Sequence, residues 1–396
     1  MRLLKNIGWT VISRIGTQGI AVLSNVLLAR YLGRDGFGEY AFISSILLIG
    51  NAFSTFGTDM ILIRSLASDE RSFTLADGLL LQLLLSLFYV IGVFTTELFV
   101  SVPLSLKIYI FALFPLAFFT ISNIDLRARQ EMKKFSFIQF VAALLQLLAA
   151  FALWLFHADI TAFAIFMLIV QITTALVAFT FHSSRLTHWH FSLSRALALL
   201  KASTYMAVIG TLRLVYEKIA VAILPALAGL SMTGIFSVSS RLTDASKLGH
   251  LSAFTAMYPE MARDADFGKQ MKGLRPLLGV AFLISVFIFI FAETIIRFLF
   301  GSEFISSVQP LRIMVWVIVP YVLVTYSSLG LVALGFERPV LSSLLAALFV
   351  LLSLLASLIP AFGLRGAAAA ILSAEIVHAA LLWYQWRVHA VSQLPR

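Results

Sequence analysis

Cysteine is absent from all 396 residues, which excludes disulfides and thiolate metal sites. That absence does not fix the compartment, because a chain embedded in lipid needs no cross-links. Charge is scarce too. Asp, Glu, Lys and Arg make up 12% of the chain, about half the roughly 25% of a soluble domain. There are 19 acidic residues against 29 Lys and Arg. No G-x-x-x-x-G-K-[ST] loop occurs, and no soluble segment is long enough to house one, so the sequence offers no nucleotide motor. A cleavable leader is not expected either: Arg14 interrupts the first apolar stretch, no small-residue cleavage site follows, and the stretch reads as a retained helix.

Apolar residues are what the chain has in plenty: 60% of it, with 35 Phe and a mean hydropathy of +0.97. A soluble fold of this size could not hide so much apolar surface. Lipid has to take the place of the missing core. A membrane-crossing helix takes about 20 mostly apolar residues. Twelve spans are expected, at residues 8–29, 40–58, 79–96, 108–124, 135–156, 160–184, 200–224, 234–258, 276–292, 313–336, 339–364 and 366–387.

Placing the N-terminus inside puts eighteen Lys and Arg on the cytoplasmic side and six (Arg30, Arg34, Lys107, Arg297, Arg312, Arg365) on the other. By the positive-inside rule both termini are then cytoplasmic. The net charge of +10 is mostly a topology signal, not a mark of nucleic-acid binding. Trp9, Trp383 and Trp386 near cytoplasmic ends fit interfacial anchors.

Sliding the chain by 196 residues sets Leu3, Leu4 and Lys5 over Leu199, Leu200 and Lys201. The same shift sets Gly33 over Gly229, Gly38 over Gly234, Tyr40 over Phe236 and Ser44 over Ser240. An offset of almost half the chain, restarting a six-span count, reads as an internal repeat. Six spans per half give both halves one orientation, with a pseudo-twofold axis along the membrane normal. The expected fold is therefore all-α integral membrane, with residues 1–191 as one six-helix lobe and 192–396 as the other. Ser192–Lys201 mixes apolar and cationic positions, as a short interfacial amphipathic helix or an ordinary basic loop would.

Five cations fall inside spans: Arg14 in the first, Arg213 and Lys218 in the seventh, Arg241 and Lys247 in the eighth. Each costs about 2.5–3.5 kcal/mol at mid-bilayer even on the mild insertion scale. Two carboxylates lie near them. Glu217 is four residues from Arg213, and Asp244 is three from both Arg241 and Lys247, so each shares a helix face with a cation. The remaining cations need water or an anionic ligand. The first span also aligns Arg14, Gln18 and Asn25, and the second aligns Ser44, Asn51, Thr55 and Asp59. Because the repeat equates the first two spans with the seventh and eighth, these four helices are expected to line one wet, electropositive cavity. The third, ninth and eleventh spans, almost pure Leu, Phe and Ile, read as lipid-facing. For each cation singly, snorkelling or a local structural pair is the bland alternative.

Guanidinium groups suit bidentate phosphate binding. The expected cargo is therefore anionic, phosphate or pyrophosphate. An inside-negative potential assists its export by about 2.3 kcal/mol per charge per 100 mV.

Residues 28–47, LARYLGRDGFGEYAFISSIL, resemble the first-to-second-helix signature of the polysaccharide (O-antigen type) flippases of the multidrug/oligosaccharidyl-lipid/polysaccharide exporter superfamily. Residues 212–244 repeat the theme, with Glu217 before the seventh-helix exit and Gly234, Phe236 and Ser239 opening the eighth. GLRGAAAAILSAEI (363–376) is similar to the family's last-helix pattern. The resemblance runs along essentially the whole chain. It implies an inner-membrane protein that moves undecaprenyl-pyrophosphate-linked oligosaccharide units to the periplasmic leaflet by alternating access, without cofactor or metal. Polysaccharide assembly proteins are implied partners. Arg14, Arg213, Lys218 and Arg241 are the positions here that would engage the pyrophosphate-sugar portion. Gln18, Asn25, Asn51, Asp59, Glu217, Asp244 and Lys247 would support or couple.

Two rival readings stand beside it. An H⁺- or Na⁺-coupled multidrug antiporter of the same fold would use an intramembrane carboxylate, for which Glu217, Asp244 or Asp59 could serve; the cation surplus opposes it. A glycan polymerase or glycosyltransferase would use the D-x-D at Asp264-Ala265-Asp266, but Arg263 and Lys269 beside it make it read as a solvated charge run. His188-Trp189-His190 is a weak metal suggestion with no carboxylate neighbour.

Overall fold

The computed structural model describes residues 2–67, 72–181, 190–263, 267–333 and 335–392, with side chains left out at 2–12, 14, 15, 67, 248, 249, 251–263, 267–272, 333 and 389–392. The D-x-D, His188-Trp189 and the side chains of Arg14 and Trp9 lie outside what it describes. Thirteen helices account for almost all of it: α1 (2–32), α2 (34–55), α3 (Thr58–Ala67), α4 (Leu75–Thr96), α5 (Leu104–Ala128), α6 (Met132–Leu155), α7 (Ile160–Thr180), α8 (193–228), α9 (230–263), α10 (Phe267–Leu299), α11 (Ser302–Val332), α12 (337–362) and α13 (364–392). Among the described residues nine helical stretches are long and apolar enough to cross a bilayer, and three of them, 40, 55 and 52 residues long, break at Gly33, Gly229 and Gly363 into two helices each, in line with the twelve expected spans. Helices are the answer because lipid offers no partner for a backbone N–H or C=O.

The helix breaks are chemically explicit. Thr74 and Asp77 form a reciprocal capping box at the start of α4, and Asp159 accepts from Ala162 N (2.8 Å) at the start of α7. Between α1 and α2 the chain turns at Gly33 (φ +64°), and between α8 and α9 at Gly229 (φ +84°). These two breaks are 196 residues apart, the offset of the repeat. A side chain would strain either one.

The chain forms two compact units, residues 1–32 with 39–218, and 33–38 with 219–396. The first is built around Leu62, Leu79, Leu81, Ala117, Ile121 and Ile124, joined by Ala196 and Leu199 of α8. Arg195 reaches the fully buried Asp77 at 3.3 Å. Residues 193–201 are thus the opening turns of α8, fastened by a core contact and an ion pair. That anchorage explains why this unit extends to Lys218.

The second unit centres on Tyr321, Val322, Tyr326, Leu331, Ala379, Leu382 and Trp386. Trp386 is a correction to the sequence reading. It is wholly buried, with its ring edge-on to Tyr326 (5.6 Å between centroids) and packed against Gly330, so it fills the core and anchors no interface. Large apolar side chains stand exposed along α4 (Leu84, Phe88, Ile91), α10 (Phe282, Leu283, Ile290) and α12 (Leu345, Phe349), the three helices expected to meet lipid. Many buried hydroxyls bond back to their own helix, as Ser45 does to Ala41 O and Ser237 to Thr233 O. They are satisfied locally and need no ligand.

Within the second unit the two glycine turns meet. A methyl group at Gly38 would lie 1.9 Å from Leu230 O, and one at Gly234 would lie 2.0 Å from Arg34 O. Overpacking of this kind costs typically about 1–3 kcal/mol. Gly38→Ala and Gly234→Ala are each expected to lower the thermal unfolding midpoint of the detergent-purified protein. Gly279→Ala, with nothing within 4 Å, should leave it unchanged.

Candidate functional site

Six of the ionisable residues expected inside spans, Arg213, Glu217, Lys218, Arg241, Asp244 and Lys247, sit on α8 and α9. On α8, within the first unit, Arg213 Nε stands 3.4 Å from Glu217 Oε1, one helical turn on. Lys218 follows, half-buried. The stretch is held beside α2: Thr211 donates to Ala52 O (3.3 Å), and the backbone of Gly57 packs tightly on Met206 and Ala207. The α8 segment bearing Arg213 therefore runs along the α2 segment bearing Asn51.

On α9, within the second unit, Lys247 Nζ pairs with Asp244 Oδ1 (3.1 Å) and lies 5.2 Å from the centre of the Tyr321 ring. Arg241 also lies against an aromatic face. Its guanidinium lies over the Phe37 ring at 5.4 Å, and Phe37 is wholly buried and edge-on to Phe304 at 6.0 Å. Nearby, Glu303 accepts from Arg34 N (3.2 Å). The two carboxylates found by spacing are thus each engaged by the cation one turn away. Two of the cations, Arg241 and Lys247, are also placed over aromatic faces, a contact worth about 0.5–1 kcal/mol when exposed and about 2 or more when desolvated.

The polar stripes divide. Gln18 is exposed, and Asn25 donates Nδ2 to Ala21 O (2.8 Å) on α1. The second stripe ends at Thr55, because Phe56 (φ +45°) and Gly57 (φ +61°) break the helix. Asp59 then starts α3, where Arg127 Nη1 reaches it at 3.5 Å. Neighbouring Asp125 pairs with Arg129 (2.5 Å), which also meets Glu131 at 3.2 Å. That end of the first unit is a charge network, not an isolated acid.

The apolar span of α13 carries two further ionisable groups, Glu375 and His378, both more than nine-tenths buried. The signal was present in the sequence as an acid and an imidazole inside an otherwise apolar span.

Residues 3–264 match the family described as "Polysaccharide biosynthesis protein". The sequence matches no curated protein. Among solved structures, the lipid II flippase MurJ in an inward closed conformation is similar at 14% identity and a TM-score of 0.79, covering 95% of this chain and 87% of that one. An inward-facing multidrug resistance MATE family transporter of the MOP superfamily gives 14% identity and 0.77, over 95% of both chains. A MOP superfamily transporter from Pyrococcus furiosus, described by a binding pocket of reverse polarity, gives 15% and 0.72, over 99% and 97%. At such identities the likeness is one of fold.

The stack of Arg241, Phe37 and Phe304 has measurable consequences. Phe37→Ala should cost about 3–5 kcal/mol in chemical unfolding of the purified protein. A double-mutant cycle with Arg241→Gln should return a coupling of about 0.5–2 kcal/mol. Simple additivity of the two losses would mean that the guanidinium and ring do not interact.

Proposed function

The chain belongs to the polysaccharide biosynthesis protein family, and from that premise we propose that it flips undecaprenyl-pyrophosphate-linked oligosaccharide units from the cytoplasmic to the periplasmic leaflet of a bacterial inner membrane. The observation that carries this reading is the charge balance at membrane depth: Arg14, Arg213, Lys218, Arg241 and Lys247 against Glu217 and Asp244. A pyrophosphate brings the negative charge that such a set lacks. Arg213, Lys218 and Arg241, with Arg14, bind the pyrophosphate-sugar portion. Glu217 and Asp244 hold Arg213 and Lys247 in place while the site is empty and release them when an anion enters. Gln18, Asn25 and Asn51 offer hydrogen bonds to sugar hydroxyls.

The protein acts as a transporter and not as an enzyme, since the cargo leaves chemically unchanged. The excess of Lys and Arg on one side supports cytoplasmic termini. The potential then favours outward movement of a negative headgroup by about 2.3 kcal/mol per charge per 100 mV. The pairing of Glu217 and Asp244 with cations argues against a drug-antiporter reading, which needs a carboxylate available to a cationic cargo.

Arg213→Ala and Arg241→Ala should each abolish surface glycan in the native host, cause lipid-linked units to build up inside, and leave membrane levels of the protein unchanged. The Arg→Lys forms should retain part of the export, since they keep the charge and lose the bidentate fork. Wild-type export in both alanine variants would remove the cationic-cargo reading.

A further inference from the structure

We propose that the first unit holds a buried water-binding site against the break between α2 and α3, lined by Ser54, Thr58, Gln82 and Ser86; it does not depend on the flippase reading above. Ser54 lies in the last turn of α2, Thr58 opens α3, and Gln82 and Ser86 stand one turn apart on α4. All four are buried, Ser54 at 3% exposure and the other three at 0%. Between Ser54 and Thr58 the chain leaves the helix at Phe56 (φ +45°) and Gly57 (φ +61°).

Contacts on both sides of the break set the register. Beyond it, Gln82 Nε2 donates to Thr58 Oγ1 at 3.3 Å. Before it, Gly50 packs directly on the Tyr89 ring, whose hydroxyl donates to Ile46 O at 2.9 Å. The chain thus descends past α4 in the antiparallel sense. Ser54 follows Gly50 by one turn on the same face. The level on α4 between Tyr89 and Gln82 is the one that Ser86 occupies, so the two serines are opposed across the contact.

The hydrogen bonds already made show which atoms are open. Thr58 donates its own hydroxyl hydrogen to Thr55 O (2.7 Å), so toward Gln82 its oxygen can only accept. The Gln82 amide therefore turns its NH₂ group to Thr58, and Oε1 is the end left over. Gln82 Oε1, Ser54 Oγ and Ser86 Oγ are all buried and have no hydrogen-bond partner in the protein. These serines differ from Ser45 and Ser237, whose hydroxyls bond back to their own helices. Buried polar atoms left unbonded are costly, and three of them on one contact call for a polar ligand.

That ligand is small and neutral. Asp59, the nearest acid along the chain, is met by Arg127 at 3.5 Å, and the lining itself is two serines, a threonine and an amide, with no charge to hold a cation. A buried water takes roughly two to four polar partners. One water can donate to Gln82 Oε1 and to one serine oxygen while it accepts from the other hydroxyl. Held in this way it ties α4 to Ser54 on one side of the break and, through Gln82, to Thr58 on the other. The same break carries α8, through Thr211 on Ala52 O and through Gly57 on Met206 and Ala207.

The test is a double-mutant cycle on the full-length protein in nanodiscs, read as thermal unfolding midpoints. Ser54→Ala and Ser86→Ala should each lower the midpoint, and the double variant should lose less than the sum of the two. Two side chains that do not bond to each other are coupled in this way only through something they share. Gln82→Met should lower the midpoint and weaken the coupling between the serines; if it does not fold, the serine cycle alone decides. Additive losses, or no loss in any serine variant, would overturn the site, because each hydroxyl would then be acting by itself. A midpoint that rises with Na⁺ at constant ionic strength would also overturn it, in favour of a cation. A cryo-EM map that resolves ordered water should show density within hydrogen-bond distance of Gln82 Oε1 and a serine oxygen. Serine hydroxyls turned to their own helix carbonyls, with no density between them, would count against the proposal.

Discussion

A charge at membrane depth has no solvent of its own, and this constraint organises the molecule. Each cation placed there costs about 2.5–3.5 kcal/mol on the mild scale, so every one must have a partner or a purpose. The described residues show the partners. Arg213 reaches Glu217, Lys247 reaches Asp244 and the Tyr321 ring, and Arg241 lies over Phe37. The carboxylates are outnumbered, and an anionic cargo completes the balance in the proposed function.

The same constraint separates structural acids from others. Asp77 and Asp125 are buried but sit at helix ends with arginines beside them, where they fasten α8 and the end of α5 to the first unit. Such pairs add little net stability over a well-packed apolar contact, but breaking one leaves an uncompensated charge. Glu375 lies within the apolar span of α13, more than nine-tenths buried, with His378 one turn on. The distinction rests on position along the helix as much as on burial.

Backbone geometry supplies the other half of the design. Gly33 and Gly229 turn the chain at equivalent points of the repeat, and Gly38 and Gly234 let backbone lie against backbone where any side chain would collide. The segment 33–38 belongs to the second compact unit although its neighbours on both sides belong to the first. In the same way α8 begins in the core of the first unit and hands over to the second after Lys218. Phe37, buried between Arg241 and Phe304, links this backbone arrangement to the cation set.

Hydropathy, the absence of soluble segments and the 196-residue repeat were enough to determine the twelve spans and the helical class, because a bilayer admits few alternatives. Spacing alone also gave the pair Arg213–Glu217 and set Asp244 within reach of both Arg241 and Lys247, since residues three or four apart on a helix must share a face. Tertiary structure decided what lies between helices. It sent Asp59 to Arg127 and Arg241 to Phe37, turned Trp386 from an expected interfacial anchor into a core residue, and buried Glu375 with His378. None of these could be read from periodicity, which fixes the face a residue occupies on its own helix but leaves open which neighbour that face meets.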